Sequence, residues 1–372
     1  MASNFSFSFG GDDIDHDDQP APLAKSPTRA TDATTPVSSA ASAFPVQGKP
    51  LLPPVQHDMA HMLSKLPSKI AFGLLSVILD DGRTIQIPRR ELWDVRLQLM
   101  AEEDSDVAPG SEPGLGEHDV KTGIYEGGFK SWESSVDLVK VLDAENMPLV
   151  LKRDPCVLVE LGCGTALPSL ALFQWALTER KSGGKLPLEL TLADYNPSVL
   201  YLVTLPNFLL AWALHQREEN PILEEAFASE EELELTPEVI EAFKDFLSSH
   251  QITLSFLSGT WSPEFVELVY HSSALASAAG DVSTLILGAE TIYSPFALQS
   301  FAGTLLSILE RERRERPNGS AAAIIAAKRM YFGVGGSLDD FNDKMRELGA
   351  TIENMREETE GVRRGVVRCL LP

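Results

Sequence analysis

The chain has 372 residues, with 54 Asp or Glu against 31 Lys or Arg, so it carries a formal charge of −23 and a pI near 4.7. That balance argues against a general binder of nucleic acid or anionic membrane, because a phosphate surface demands clustered Lys and Arg. It suits a basic protein partner, and equally a gain in solubility alone. The chain exceeds one average domain, yet roughly its first hundred residues are too polar and Pro-rich to form a core, so one large domain behind a disordered arm is expected.

Cys156, Cys163 and Cys369 share no C-x-x-C spacing and imply a reducing compartment without structural disulfides. His57 and His61 are four apart with no Cys nearby, so no metal site is expected. The start lacks a basic segment followed by an apolar one, so no secretory signal is expected. No stretch reads as long enough to span a bilayer.

In chain order, residues 1–56 are Ser, Ala, Pro, Thr and Asp with few large apolar residues after Phe9, too few to offset the entropy of ordering, and read as a disordered arm. Phe5, Phe7 and Phe9 beside Asp12, Asp13 and Asp15 are either a docking motif or a solvated tail. Residues 57–120 read as a linker bearing a β-hairpin and a short helix. Stretches 75–79 and 84–88 alternate about Asp81-Gly82, 91–100 is the helix, and 101–119 is acidic loop.

The principal domain is expected over 121–372. Ser131 can cap a helix whose Trp132, Val136, Val139 and Leu142 share one face; by periodicity alone Trp132 is a core residue as readily as a ligand contact. An apolar run over 157–159 then leads to Glu160, with Gly162 and Gly164 at alternate positions and Pro168 opening an apolar helix. This is a strand, a tight loop and a helix, and the glycines let a ligand approach the backbone. A second strand over 188–193 ends at Asp194, with Asn196 and Pro197 capping the next helix. An acid at that exposed strand end is where a ribose diol would be held, although the polar loop over 178–187 makes the spacing longer than the dinucleotide fingerprint.

The apolar helix over 198–216 should kink at Pro206. An acidic insertion follows at about 218–250, helical in part from Thr236. A strand over 252–257 ends at Gly259-Thr260-Trp261, and one over 284–289 ends at Glu290-Thr291-Ile292-Tyr293. A strand over 321–327 runs into a Gly-rich loop, and a helix over 337–348 with strands over 351–355 and 366–370 closes the chain. Helices separate successive strands until the last pair, so the sheet should be largely parallel with helices on both faces. Glu160, Asp194, Gly259-Thr260-Trp261 and Glu290 then gather at strand carboxyl ends, as a mononucleotide-type pocket.

With these residues the chain resembles the seven-stranded methyltransferases that use S-adenosylmethionine, and more narrowly the eukaryotic histidine protein methyltransferase family. The narrower resemblance lies in Gly128-Phe129-Lys130-Ser131-Trp132-Glu133, in Asp194-Tyr195-Asn196 followed by Val203-Thr204-Leu205-Pro206-Asn207, and in Glu290-Thr291-Ile292-Tyr293. It extends to Lys328 through Gly336 and to Pro88-Arg89-Arg90-Glu91-Leu92 beside the hairpin. It covers residues 70 to 372 apart from 218–245.

The resemblance implies a Rossmann-like seven-stranded sheet, S-adenosylmethionine as cofactor, and methylation of one histidine in a large-subunit ribosomal protein at the ring nitrogen remote from the backbone (tele). It implies that Ser131, Trp132 and Glu133 flank the methionine end, that Glu160, Gly162 and Gly164 admit the cofactor, and that Asp194 with Tyr195 and Asn196 takes the ribose. Gly259, Thr260 and Trp261 complete the cofactor site. Glu290, also at the cofactor, and Tyr293 lie where an acceptor ring enters, and either could orient the imidazole or bond only structurally. Two positions depart from the common pattern: Ala166 stands where a third glycine is usual, and Thr260 where an acid is common. A sulfonium methyl is already activated, so its transfer needs alignment and desolvation more than acid or base. A lysine acceptor stays open, since lysine enzymes share the Trp-acid and acid-x-x-Tyr features, as does a non-catalytic module that binds ribosomal protein. A monomer of cytoplasm and nucleus, without nucleic-acid or membrane contact, is expected.

Overall fold

The computed structural model describes residues 51–103, 128–181, 186–227, 229, 231–271, 273 and 282–372. The expected arm up to residue 50, with its Phe-Asp motif, and the loop after the short helix lie outside the described residues.

The strands are β1 (Val55–His57), β2 (Lys69–Ile78), β3 (Thr84–Arg90), β4 (Cys156–Leu161), β5 (Leu188–Asp194), β6 (Glu232–Glu234), β7 (Ile252–Ser258), β8 (Ser283–Ala289), β9 (Ser320–Lys328), β10 (Thr351–Glu358) and β11 (Arg364–Leu370). The main sheet has the order β1-β7-β5-β4-β8-β9-β11-β10. β7, β5, β4, β8 and β9 run parallel, whereas β11 is antiparallel to both β9 and β10. Every residue of β4 and β5 is buried, Glu189 and Thr191 included, as expected where helices cover both faces. Strand order reverses between β4 and β8, and a crevice opens at the carboxyl ends beside such a reversal.

The seven expected strands are present, and an eighth joins them. β1 lies antiparallel on β7, with Val55 opposite Ser258 and His57 opposite Phe256. The arm therefore meets the folded domain before Gln56. A three-residue strand behind Pro53 and Pro54 gives no periodic signal.

The hairpin forms as expected from β2 and β3, and β6, from the acidic insertion, adds a third strand with Ile70 opposite Leu233. The rest of the insertion, helices Pro221–Ala226 and Pro237–Ser249, buries Leu223, Val239, Phe243 and Leu247. Phe243 lies 5.3 Å from the Trp212 ring, so the insertion contributes core while its acids face water.

Contrary to the sequence expectation, one segment among the described residues, Pro197–Gln216, is long and apolar enough to cross a bilayer, but it is mostly buried inside the domain. A π turn, Leu200–Thr204, stands just before Pro206, where a kink was expected. A proline cannot bond the carbonyl four residues back, and local widening is one way a helix absorbs that. The freed Leu202 carbonyl accepts from the buried Arg90 guanidinium at 3.0 Å.

Candidate functional site

At the carboxyl end of β4 the chain enters the left-handed region at Gly162 (φ 69°), Gly164 (φ 51°) and Ala166 (φ 57°), an alternation that winds it tightly into helix Leu167–Lys181. Two glycines are required by space as well. A Cβ at Gly162 would lie 2.6 Å from Thr291 Cγ2, and one at Gly164 would lie 2.9 Å from the Gly128 carbonyl oxygen. Ala166, where a third glycine is usual, accepts the αL geometry with its methyl fully buried.

Asp194 closes β5 and holds this loop. Its Oδ2 accepts from the Gly164 N–H and its Oδ1 from the Asn196 N–H, each at 3.0 Å. The expectation of an exposed strand end is corrected: Asp194 is only 4 % exposed, and burial pushes its pKa up to about 6 against the pull of those N–H donors. Glu160 is also buried, its Oε2 accepting from the Ser169 N–H at 3.0 Å in the first turn of the following helix. Burial, with the Asp194 charge adding to it, pushes Glu160 up to about 8. Glu160 thus serves the loop-to-helix junction.

The structure gathers Ser131, Gly162, Gly164, Asp194, Tyr195 and Asn196 about this loop. Ser131 Oγ lies 2.9 Å from Thr165 Oγ1, and Asn196 caps the next helix through Ser198. The Tyr195 hydroxyl accepts from the Leu52 N–H at 2.9 Å. That segment also occupies the next strand end. Leu52 O accepts from the Thr260 N–H at 2.9 Å, and a Cβ at Gly259 (φ 100°) would fall 2.1 Å from the Pro53 carbonyl oxygen. The glycine at 259 is therefore required by the chain preceding β1, which no local sequence signal shows. Beside them Trp261 stacks edge-on to Phe301 at 5.3 Å. Its ring lies 3.8 Å from where a Gly162 Cβ would sit.

On the β8 side Glu290 adopts φ 59°, and its carboxylate accepts from the Ser134 and Tyr331 hydroxyls. Burial raises its pKa, with Lys328 and Arg364 pulling the other way. Trp132 stands at the start of helix Glu133–Ala144, with Lys328 Nζ 5.4 Å from its ring centre. Glu133 pairs with Arg364 at 2.7 Å. Tyr293 is half-buried, its phenol pKa raised by burial and then by the Asp194 charge. Among the described residues no group of three or more His, Cys, Asp and Glu is placed to hold a metal, and all three cysteines are free and buried.

Sequence reasoning assigned no role to Thr204, Asn207, Ser134 or Tyr331. Thr204 Oγ1 donates to the Gly164 carbonyl at 2.7 Å, and Asn207 Nδ2 donates to the Thr165 carbonyl at 3.0 Å. Asn207 Oδ1 in turn accepts from the Arg90 N–H at 2.7 Å, tying β3 to the glycine loop. The motif stretches that carried the resemblance contain Thr204, Asn207 and Tyr331 and were the only signal for them; Ser134 lies one residue past such a stretch.

No protein-family profile matches the chain. Individual proteins do. Histidine protein methyltransferase 1 of Saccharomyces cerevisiae is 34 % identical over 98 % of this chain and 97 % of its own length. The chain belongs to the histidine protein methyltransferase family. The Schizosaccharomyces pombe family member of the same name is 33 % identical over 83 % of each chain, and the Bos taurus homologue 31 % identical over 68 % of this chain and 56 % of its own. Among solved structures, a SAM-dependent methyltransferase from Aquifex aeolicus is 12 % identical, covering 62 % of this chain and 90 % of its own at a TM-score of 0.30.

Like the family, the protein is an S-adenosylmethionine-dependent methyltransferase. The site fits that cofactor: the buried Trp261 Nε1 and Thr291 Oγ1, in the two side chains nearest a Gly162 Cβ, have no hydrogen-bond partner among the described residues. Buried polar atoms of that kind mark a place where a polar ligand completes the bonding.

Proposed function

We propose that the protein methylates a histidine of a basic large-subunit ribosomal protein, at the ring nitrogen remote from the backbone. The observation that supports this most is the near full-length likeness to the yeast histidine protein methyltransferase. The charge of −23 suits a basic partner. On this reading the enzyme works as a monomer in cytoplasm and nucleus and does not itself bind nucleic acid.

When bound, the cofactor supplies an electrophilic methyl on a sulfonium. The chain's own residues position and desolvate. Gly162 and Gly164 admit the cofactor against bare backbone, and Asp194, oriented by two backbone N–H groups, offers its remaining lone pairs to the ribose hydroxyls. Tyr195 and Asn196 brace that turn, with Gly259, Thr260 and Trp261 alongside and Trp261 Nε1 free to donate. Ser131, Trp132 and Glu133 shape the methionine end, where the Lys328–Trp132 contact and the Glu133–Arg364 pair fix the helix start. Glu290 and Tyr293 face the acceptor and orient the imidazole. A neutral imidazole already has its lone pair, so alignment suffices without a strong base.

The test is single-turnover transfer to purified large-subunit ribosomal proteins across pH, with the product mapped by mass spectrometry. The rate should rise through about pH 6 to 7 and level, as an imidazole of pKa near 6.5 loses its proton. Product on lysine, with a rate still climbing above about pH 9, overturns the histidine reading.

A further inference from the structure

The loop after β9 exposes a row of large apolar side chains. Phe332 is 85 % exposed, with Met330 and Val334 exposed on either side, whereas Tyr331 between them is buried. The loop is fixed rather than loose. The Tyr331 N–H donates to the Gly336 carbonyl at 2.9 Å and the Gly336 N–H to the Tyr293 carbonyl at 3.1 Å. A Cβ at Gly336 would lie 2.1 Å from the Ile292 carbonyl oxygen. With the Tyr331 hydroxyl on Glu290, the inner side of this loop grips both residues of the acceptor end. Its outer side turns an aromatic and two aliphatic side chains to water, the pattern of a surface awaiting a partner.

Helix Leu338–Glu347 begins where the loop ends. Asp339, Asp343 and Glu347, spaced four apart, are all exposed along it. Their partners Arg329, Arg346 and Lys344 form surface pairs, which are weak in water and easily exchanged.

We propose that this loop and helix are the docking surface for the polypeptide carrying the acceptor. Met330, Phe332 and Val334 hold an apolar side chain flanking the acceptor residue, and the acidic row receives Lys or Arg beyond it. The proposal rests on the protein-substrate reading above and deepens it: the partner is a basic segment with an apolar anchor beside its target. Aromatic anchors of this kind carry most of the energy of an interface, while rim charges set its salt dependence.

The full chain would be compared with Phe332→Ser, with the triple variant Asp339→Asn, Asp343→Asn, Glu347→Gln, and with Leu74→Ser, which removes an exposed apolar side chain on the hairpin. The probe is acid-extracted large-subunit ribosomal protein from cells lacking this protein, labelled from radioactive S-adenosylmethionine. Phe332→Ser should raise KM for the protein substrate about tenfold or more, with cofactor affinity and melting midpoint unchanged. The triple variant should flatten the dependence of KM on salt, and Leu74→Ser should behave as wild type. A kcat/KM for Phe332→Ser within about twofold of wild type overturns the docking surface whatever residue is labelled. Labelling on lysine alone overturns the histidine reading instead, and the Phe332 comparison still decides the surface.

Discussion

The Arg90 guanidinium takes the place of the N–H that Pro206 lacks, donating to the Leu202 carbonyl at 3.0 Å. Only 2 % exposed, Arg90 also donates to Asp94 Oδ2 at 2.7 Å and to Gln98 Oε1 at 2.8 Å. One side chain thereby satisfies a helix interrupted by a π turn and locks the short helix Leu92–Glu103 to it. Arg90→Met keeps the apolar stem and removes the charge, leaving Asp94 and the Leu202 carbonyl without it. Breaking a buried pair in this way costs about 3 to 5 kcal/mol. Urea unfolding of the two proteins should show a loss of that order, and a loss under about 1 kcal/mol would mean that water replaces the guanidinium.

Gly162 faces a methyl group. The hypothetical Gly162 Cβ lies 2.6 Å from Thr291 Cγ2, and the backbone there is left-handed at φ 69°. Gly162→Ala should therefore carry two separable penalties, about 1 to 2 kcal/mol for an L-residue in αL and a further overpacking cost of about 1 to 3 kcal/mol. Thr291→Ser removes the clashing methyl and keeps the hydroxyl. In a double-mutant cycle read by urea unfolding, the Thr291→Ser background should reduce the cost of Gly162→Ala to the backbone part alone. Additive effects would place the clash elsewhere.

Much of this fold was legible because the buried strands are mostly apolar and end in turn residues. Glu160, Asp194 and Glu290 could be placed at strand ends on that basis. What stayed hidden has no local period. β1 is three residues long, and β6 is Glu232-Leu233-Glu234 within an acidic insertion, with a single buried leucine. The bonds from Thr204 and Asn207 to the glycine loop join residues 40 and 42 apart. Neither a hydroxyl nor an amide on an apolar helix announces a partner that distant. The resemblance placed Gly259 in the cofactor site with no sign of the chain segment beside it, and a Cβ there would meet Pro53.

If Asp194 holds the ribose, as proposed, it gives the cofactor site a pH dependence. Burial raises its pKa to about 6 from an ordinary 3.8, so below about pH 6 the free protein holds the carboxyl protonated. The sign follows from linkage: a carboxyl whose pKa rises on folding stabilises the fold below its unfolded value, and that contribution is lost as pH climbs through about 6. A shift of roughly two units corresponds to about 3 kcal/mol lost between about pH 4 and 6. Cofactor binding runs the opposite way, because a ribose hydroxyl is better accepted by the ionised form. Affinity measured by calorimetry should fall below about pH 6, with proton release on binding near that pH. Asp194→Asn should bind more weakly at neutral pH and lose this pH dependence. Proton release unchanged in Asp194→Asn would move the titration to another group.

Tyr331 and Ser134 separate a chemical role for Glu290 from a structural one. Both hydroxyls donate to the Glu290 carboxylate and stabilise its charge against burial. Tyr331→Phe removes one of those donors and keeps the ring, so the Glu290 pKa must move further up. If the ionised carboxylate orients the acceptor imidazole, a larger fraction of Glu290 is protonated at neutral pH in the variant. The rising limb of the single-turnover rate then shifts to higher pH, and the plateau is recovered at alkaline pH. Ser134→Ala should shift it the same way. Glu290→Gln cannot titrate, so it should lower the plateau while its remaining pH dependence is that of the imidazole alone, near 6.5. A purely structural Glu290 gives a different result: Tyr331→Phe would lower the melting midpoint and leave the pH profile where it was. The rate profile, measured with cofactor saturating at every pH, decides between them, because stability alone cannot displace a limb that the acceptor's own proton sets.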